Sequence, residues 1–262
     1  MRGYGWISLT TDYGTFDGFV ASCHGVIARI APDVRVIDVT HHVPPADVPR
    51  GAAVLAQTAP HLPEAVHMAV VDPGVGTSRR AVAIGTPNGV LVGPDNGVLI
   101  WAAEALGGID EVVHLANKDW FLGDMSRTFH GRDLFAPAAA HLAAGAALSD
   151  AGPSVDAGTL VRLADPVVAV GDGWLEAEVM TVDRFGNVQL AAGGATLAGL
   201  STDLLIGGNV RARRGTTFQD VGQGELLVYE DSAGRVAIAV NGGRAVVVLS
   251  VRPGDVVRIT HR

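Results

Sequence analysis

Cysteine is nearly missing: Cys23 is the single one in 262 residues. No intrachain disulfide can form, and no thiolate-rich metal site can be assembled. His24 is its neighbour, but adjacent residues on a regular element point in different directions. A buried, inert thiol is therefore expected, not an activated nucleophile. Positive charge is also short. Lys and Arg number 19 against 27 Asp and Glu, a formal net charge of -8. That balance argues against a nucleic-acid partner, because phosphate binding needs basic surface. Long apolar runs are absent although the mean hydropathy is +0.30. A stretch such as 245–251 is strand-length, well below the roughly 20 residues of a membrane-spanning helix. Met1 leads straight into strand-like residues 6–9 with no basic-then-apolar leader, so no membrane partner and a cytoplasmic location are expected. Three motifs are missing as well. No Gly-x-Gly-x-x-Gly run lies between strand and helix in the first half, no Walker-type loop occurs, and Gly-x-Ser-x-Gly, the mark of an α/β-hydrolase nucleophile, is absent.

What remains is the composition of a compact folded chain, 48% hydrophobic and 18% charged. Through about residue 150, strand-like runs at 7–9, 34–39, 66–71, 81–84, 90–92 and 112–114 alternate with helix-like stretches at 16–30, 48–57, 99–106 and 134–144. Thr15 and Asp47 are placed to cap the first two helices. This alternation predicts an α/β domain with a central, mostly parallel sheet. Asp150-Ala-Gly-Pro153 is a turn-rich connector, and helical periodicity fades beyond it. Short strands between Gly-rich turns follow at 174–182, 187–190, 203–206, 226–229, 236–240, 245–250 and 255–259. They predict a smaller C-terminal antiparallel β-barrel. The two domains are expected to span 1–160 and 161–262.

Four segments can carry chemistry. Thr10-Thr11-Asp12-Tyr13-Gly14 follows the first strand, where open α/β sheets bind ligands, and an Asp there can accept hydrogen bonds from vicinal hydroxyls. Val70-Val71-Asp72-Pro73-Gly74 ends a buried-type strand, and Pro-Gly turns the chain away just after Asp72. Arg79 and Arg80 follow, and an Arg beside a carboxylate keeps it ionised and fixes its direction. Phe129-His130-Gly131-Arg132-Asp133 precedes a helix, with Asp133 placed to cap it. Asp183-Arg184-Phe185-Gly186-Asn187 reads as a hairpin turn that can also stack on and hydrogen-bond an aromatic ring. Asp38, His41 and His42 are metal-type residues, but adjacent histidines without a further spaced carboxylate make a poor ligand set, and no metal is expected. Gly93-Pro94-Asp95-Asn96-Gly97 is a turn.

Together the segments TTDYG (10–14), VIDVTHHVPPADVPRGA (36–52), VVDPGVGTSRRAVA (70–83), GPDNG (93–97), FHGRD (129–133), HLAAG (141–145) and VDRFGNV (182–188) resemble one family. It is the SAM hydroxide adenosyltransferases, relatives of the fluorinase and chlorinase. The resemblance covers essentially the whole chain and implies hydrolysis of S-adenosyl-L-methionine (SAM) to adenosine and L-methionine, with no cofactor. It also implies a homotrimer, with SAM between one subunit's N-terminal domain and a neighbour's C-terminal domain. By position, Asp12 would hold the ribose hydroxyls, Asp183 the methionine ammonium and Asn187 the adenine edge. Phe185 would line the same site, the backbone of Val240, Asn241 and Gly242 would assist, and Ser232 would lie near the methionine carboxylate. Asp72, Arg79 and His130 correspond to the polar trio of the hydrolytic branch, with the base open between Asp72 and His130. Halogenating members carry Tyr in place of Asp72, Tyr-Ser in place of His130-Gly131 and Trp in place of Ala46. A carboxylate beside a halide pocket would repel the anion, so the pattern points to water. Ala233 replaces an Arg that binds the methionine carboxylate in halogenases. The alternatives are a SAM-dependent halogenase and a non-catalytic SAM or adenosine sensor; a metal-dependent nucleotide hydrolase built on His41-His42 is remote.

Overall fold

The computed structural model describes residues 3–262. The chain divides into two compact units, the first ending at Leu163 and the second beginning at Ala164.

In the first unit the elements run β1 (Trp6–Thr11), α1 (Phe19–Ile30), β2 (Arg35–Thr40), α2 (Val48–Thr58), β3 (Ala65–Val70), β4 (Ala81–Thr86), β5 (Gly89–Pro94), α3 (Ile100–Ala105), β6 (Glu111–His114) and α4 (Ala136–Ala143). The sheet order is β2-β1-β3-β5-β4-β6. Strands β2, β1, β3 and β5 pair in parallel, and β4 runs against both β5 and β6. Strands β3, β4 and β5 are buried at every residue, as expected of strands covered on both faces. Alternate side chains divide between the faces. Val66, Met68 and Val70 join a core with α1 and α4, whereas Ala69 and Val71 join a core with α2 and α3. Asp47 caps α2 as expected, its Oδ1 accepting the Arg50 N–H at 3.0 Å. Thr15 does not cap α1: that helix starts three residues later than its apolar pattern, behind an uncapped Gly18. Phe16 lies outside the helix with its side chain fully exposed.

The second unit contains β7 (Val168–Gly171), β8 (Trp174–Val182), β9 (Val188–Gly193), β10 (Asp203–Ile206), β11 (Val210–Arg214), β12 (Leu226–Glu230), β13 (Arg235–Val240), α5 (Ala245–Leu249) and β14 (Val256–His261). Strands β14-β10-β11-β12-β13-β9-β8 close through a β14–β8 pairing into a seven-stranded barrel, and β7 adds to β8. Leu175, Ala177, Val179 and Thr181 of β8 alternate inward, the two-residue period of a half-buried strand. The pairings are antiparallel except β11–β12, which is parallel. Parity requires such a pair: a closed ring with an odd number of strands cannot reverse direction at every step. Residues 245–250 form the short helix α5 and not a strand. Ala245 is buried, Val246 and Leu249 pack on the core, and Val247 and Val248 point outward. That is a helical spacing, and Ser250 ends it at a left-handed φ of 53°. Among the described residues no helix is long and apolar enough to cross a membrane.

Candidate active site

The chain leaves β1 toward β2 on one side, and β3 lies on the other side of β1. The carboxyl ends of β1 and β3 therefore flank the point where connections diverge, the place where open α/β sheets form a ligand crevice. Asp12 directly follows β1, and Asp72 follows β3 after one intervening residue, Val71.

Asp72, Arg79 and His130 form one connected group. Arg79 Nε donates to the Asp72 oxygens at 3.1 and 2.9 Å, and Arg79 Nη2 donates to Oδ2 at 2.5 Å. The same Nη2 donates to His130 Nδ1 at 2.8 Å. The Asp72 and Arg79 side chains are only 5% and 11% exposed, so water screens this pair poorly. The guanidinium also stacks 5.1 Å over the Phe135 ring. The loop from 72 to 79 doubles back to aim Arg79: Val75 N–H bonds the Asp72 carbonyl at 3.2 Å, and Thr77 Oγ1 bonds the Gly74 carbonyl at 2.7 Å. Gly76 makes this possible. Its φ is +79°, and a Cβ there would lie 2.5 Å from the Arg127 carbonyl oxygen, three residues before His130.

A guanidinium only donates hydrogen bonds. His130 Nδ1 must therefore be the accepting nitrogen, which leaves the proton of the neutral ring on Nε2. Burial first, and the Arg79 charge second, hold the His130 pKa below its ordinary value, opposed by Asp72 and Asp133. His130 is a neutral ring presenting an N–H.

Asp133 is not a helix cap. It lies inside a π-helical turn, Gly131–Phe135, that leads into α4. Its buried carboxylate accepts Ser126 N–H at 2.7 Å and Arg132 Nε at 2.6 Å. Arg80 parts company with Arg79: it bonds Asp95 Oδ2 at 2.8 Å and Thr159 Oγ1 at 2.9 Å, and so fastens the 159–161 segment. Cys23 is buried, and burial pushes its thiol up to about 12, in keeping with an inert side chain.

Asp12 Oδ2 accepts the Ala46 N–H at 3.0 Å, and Ala46 holds a left-handed φ of 64°. Oδ1 is not engaged by Ala46. Two residues overlooked in the sequence shape the same crevice. Tyr13 packs edge-on against Phe129 at 5.6 Å between ring centres, and burial raises its pKa well above 10.0, with Asp12 and Asp72 adding to the shift. A Cβ on Gly131 would lie 2.1 Å from the Tyr13 hydroxyl. Asn96 Nδ2 donates at 2.8 Å to the Val71 carbonyl, just before Asp72. Tyr13 stood beside Asp12 in sequence, which was the available signal; Asn96 gave only a turn signal. His42 does not join Asp38 and His41; His24 does.

In the second unit, the 183–187 turn is closed by its own aspartate. Asp183 Oδ1 accepts the N–H groups of Phe185 and Asn187 at 2.9 and 2.8 Å, and Oδ2 accepts Asn187 Nδ2 at 2.8 Å. Phe185 is 68% exposed. The Val246 N–H bonds the Gly186 carbonyl at 3.0 Å, bringing the segment after Val240 alongside this turn. Asn241 Nδ2 donates to the Val221 carbonyl at 2.9 Å, and Gly242 turns with a φ of 75°. Ser232 is exposed in the β12–β13 turn, which Asp231 braces through Gln189 Nε2 at 2.6 Å. Burial first, then the charges of Asp231 and Asp183, raises the Tyr229 pKa.

Two family models match the chain: the SAM hydroxide adenosyltransferase N-terminal domain over residues 7–152 and the C-terminal domain over 177–258. An (R)-S-adenosyl-L-methionine hydrolase of Salinispora arenicola is 63% identical over 262 residues, 99% of both chains. A fluorinase of an Actinoplanes species is 29% identical, covering 97% of each. A solved structure of an uncharacterized conserved protein from Thermotoga maritima superimposes with a TM-score of 0.91 at 38% identity, covering 97% of this chain and 99% of that one.

Proposed function

The chain belongs to the SAM hydroxide adenosyltransferase family, and from that premise we propose that it hydrolyses SAM at the ribose C5′ carbon to adenosine and L-methionine. The Salinispora arenicola relative is named for the (R) form of SAM, and that form is the proposed substrate. The observation that carries the reading is the connected Asp72–Arg79–His130 group, set at the crevice between β1 and β3.

The reaction is an in-line substitution. A water oxygen forms the C5′–O bond as the C5′–S bond breaks, and the electron pair leaves with sulfur as neutral methionine. Water's proton must go elsewhere, since water with a pKa near 15.7 is a poor nucleophile. His130 Nδ1 is already occupied by Arg79, so the ring can hold water only through Nε2–H. Asp72 is then the group that takes the proton and later passes it to solvent. Arg79 fixes the direction of both partners, and Asp12 anchors the ribose. Holding water and sulfonium carbon in line can supply roughly 7–11 kcal/mol of the barrier. Combining hydroxide character with a sulfonium removes two opposite charges, which a desolvated crevice favours.

No step in this scheme uses a metal or a cofactor. The scheme also takes up the resemblance's homotrimer, in which Asp183, Phe185, Asn187, Ser232 and residues 240–242 of a neighbouring subunit complete each site. Purified protein incubated with (R)-SAM and followed by chromatography should release adenosine and methionine in equal amounts, with or without EDTA. Absence of adenosine would leave a SAM-binding sensor instead, and dependence on added metal would overturn the scheme.

A further inference from the structure

We propose that His24, Asp38 and His41 bind one divalent transition cation of the borderline class, Zn2+, Co2+ or Ni2+, at a site separate from the Asp72 group. The three residues come from α1, from the middle of β2 and from the loop leaving β2, so only the fold brings them together. His24 Nε2 lies 2.8 Å and His41 Nε2 3.0 Å from the same Asp38 Oδ1. The ligand atoms of all three residues lie within 4.8 Å of one another.

The condition of His41 sets this cluster apart from a surface ion pair. Its side chain is 5% exposed, and its Nε2, aimed at Asp38, makes no aligned hydrogen bond. A buried ring nitrogen without a hydrogen bond is costly unless something else occupies its lone pair. The other nitrogen is already held: His41 Nδ1 lies 2.9 Å from Thr11 Oγ1. With the proton on Nδ1 and given to that hydroxyl, the ring is fixed and the Nε2 lone pair points into the cluster. Metal-bound histidines are braced in this way.

Geometry and chemistry agree with such an ion. Metal–ligand bonds of about 2.0–2.1 Å at tetrahedral angles place ligand atoms about 3.3 Å apart. The 2.8 and 3.0 Å contacts then need to open by only a few tenths of an ångström. Two imidazoles and one carboxylate suit Zn2+, Co2+ or Ni2+ and not the all-oxygen preference of Mg2+ or Ca2+. His24 and Asp38 are 36% and 43% exposed, which leaves the fourth position open to water. The ion would tie α1 to the loop that continues to Ala46, the residue that bonds Asp12. The inference does not depend on the reaction proposed above.

Tag-free, EDTA-stripped full-length protein titrated with CoCl2 should take up one ion per chain and develop the intense visible absorption of four-coordinate cobalt. Calorimetry with ZnCl2 should give the same stoichiometry, and Zn2+ should raise the melting temperature. His24→Ala and Asp38→Asn should each weaken binding by at least about tenfold, the scale on which even outer-shell partners act, and abolish the thermal shift. His130→Ala should bind as the wild type does. No saturable uptake by the wild type, or undiminished uptake by either the His24 or the Asp38 variant, would overturn the assignment.

Discussion

Asp72 and His130 reach the same guanidinium nitrogen, so each residue of the group can be tested by what it leaves behind. Asp72→Ala removes the proposed proton acceptor but none of the residues proposed to hold nucleoside or amino acid. Its kcat should fall by about 10²–10⁴, the range of general-base effects, while calorimetric SAM affinity stays within a few-fold. Retained turnover would remove Asp72 from the chemistry. Gly131→Ser installs the serine that the resemblance assigns to halogenating members, yet its Cβ would meet the Tyr13 hydroxyl at 2.1 Å. The expected result is slower hydrolysis and no 5′-fluoroadenosine by mass spectrometry in fluoride; appearance of that product would show that Tyr13 yields easily. His67 bears on stability. It is fully buried on β3, 2.8 Å from Ser8 Oγ of β1, and burial lowers its pKa to about 4. An unfolded chain takes up its proton near the ordinary 6.5, so between pH 6.5 and 4 the unfolded state binds more protons. Stability should therefore fall as pH drops through that window, by on the order of 3 kcal/mol at about 1.4 per unit. A His67→Gln variant should show a flatter urea-denaturation profile across it.

At the scale of elements, the sheet strands were legible because burial on both faces leaves continuous apolar runs such as Ala81–Thr86. The aspartate at 47 announced the start of α2, whereas α1 begins behind Gly18, which offers no capping side chain. Two strands escaped notice: β11, whose Val-Arg-Ala-Arg-Arg offers one buried residue, and the short β7 at the barrel's margin. Residues 245–249 misled because three valines in a row favour strands locally, whereas packing against the barrel core chose a helical turn. The chemical trio was legible by resemblance. Its wiring was not, because Arg79 and Arg80 are equivalent in sequence and only the fold sends one to Asp72 and the other to Asp95. The loop from 72 to 79 is the element that performs this sorting. Gly76→Ala would force a side chain into a left-handed backbone, at about 1–2 kcal/mol, and against the Arg127 carbonyl. Chemical denaturation should register at least that loss, with kcat reduced as Arg79 and His130 separate. A variant with wild-type stability and turnover would show that the close approach at Gly76 is dispensable.

For the whole molecule, the decisive question is whether one chain makes a complete site. Asp72→Ala and Asp183→Ala each inactivate a different part of the proposed trimeric site. When the two variants are unfolded together in equal amounts and refolded, random assembly gives each site a sound first part half the time and a sound second part half the time. Activity should then return to about a quarter of the wild type. No recovery, with mixed trimers verified by sedimentation and mass, would mean that each chain uses its own two halves.

The odd number of barrel strands reaches further than topology. Parallel neighbours such as β11 and β12 cannot be joined by a tight hairpin, so the chain spends residues 215–225 travelling between them. That detour supplies the Val221 carbonyl to which Asn241 is fastened. An even-numbered ring closed by hairpins alone would have no such excursion. The turn proposed to meet the adenosyl group would then lose its mooring.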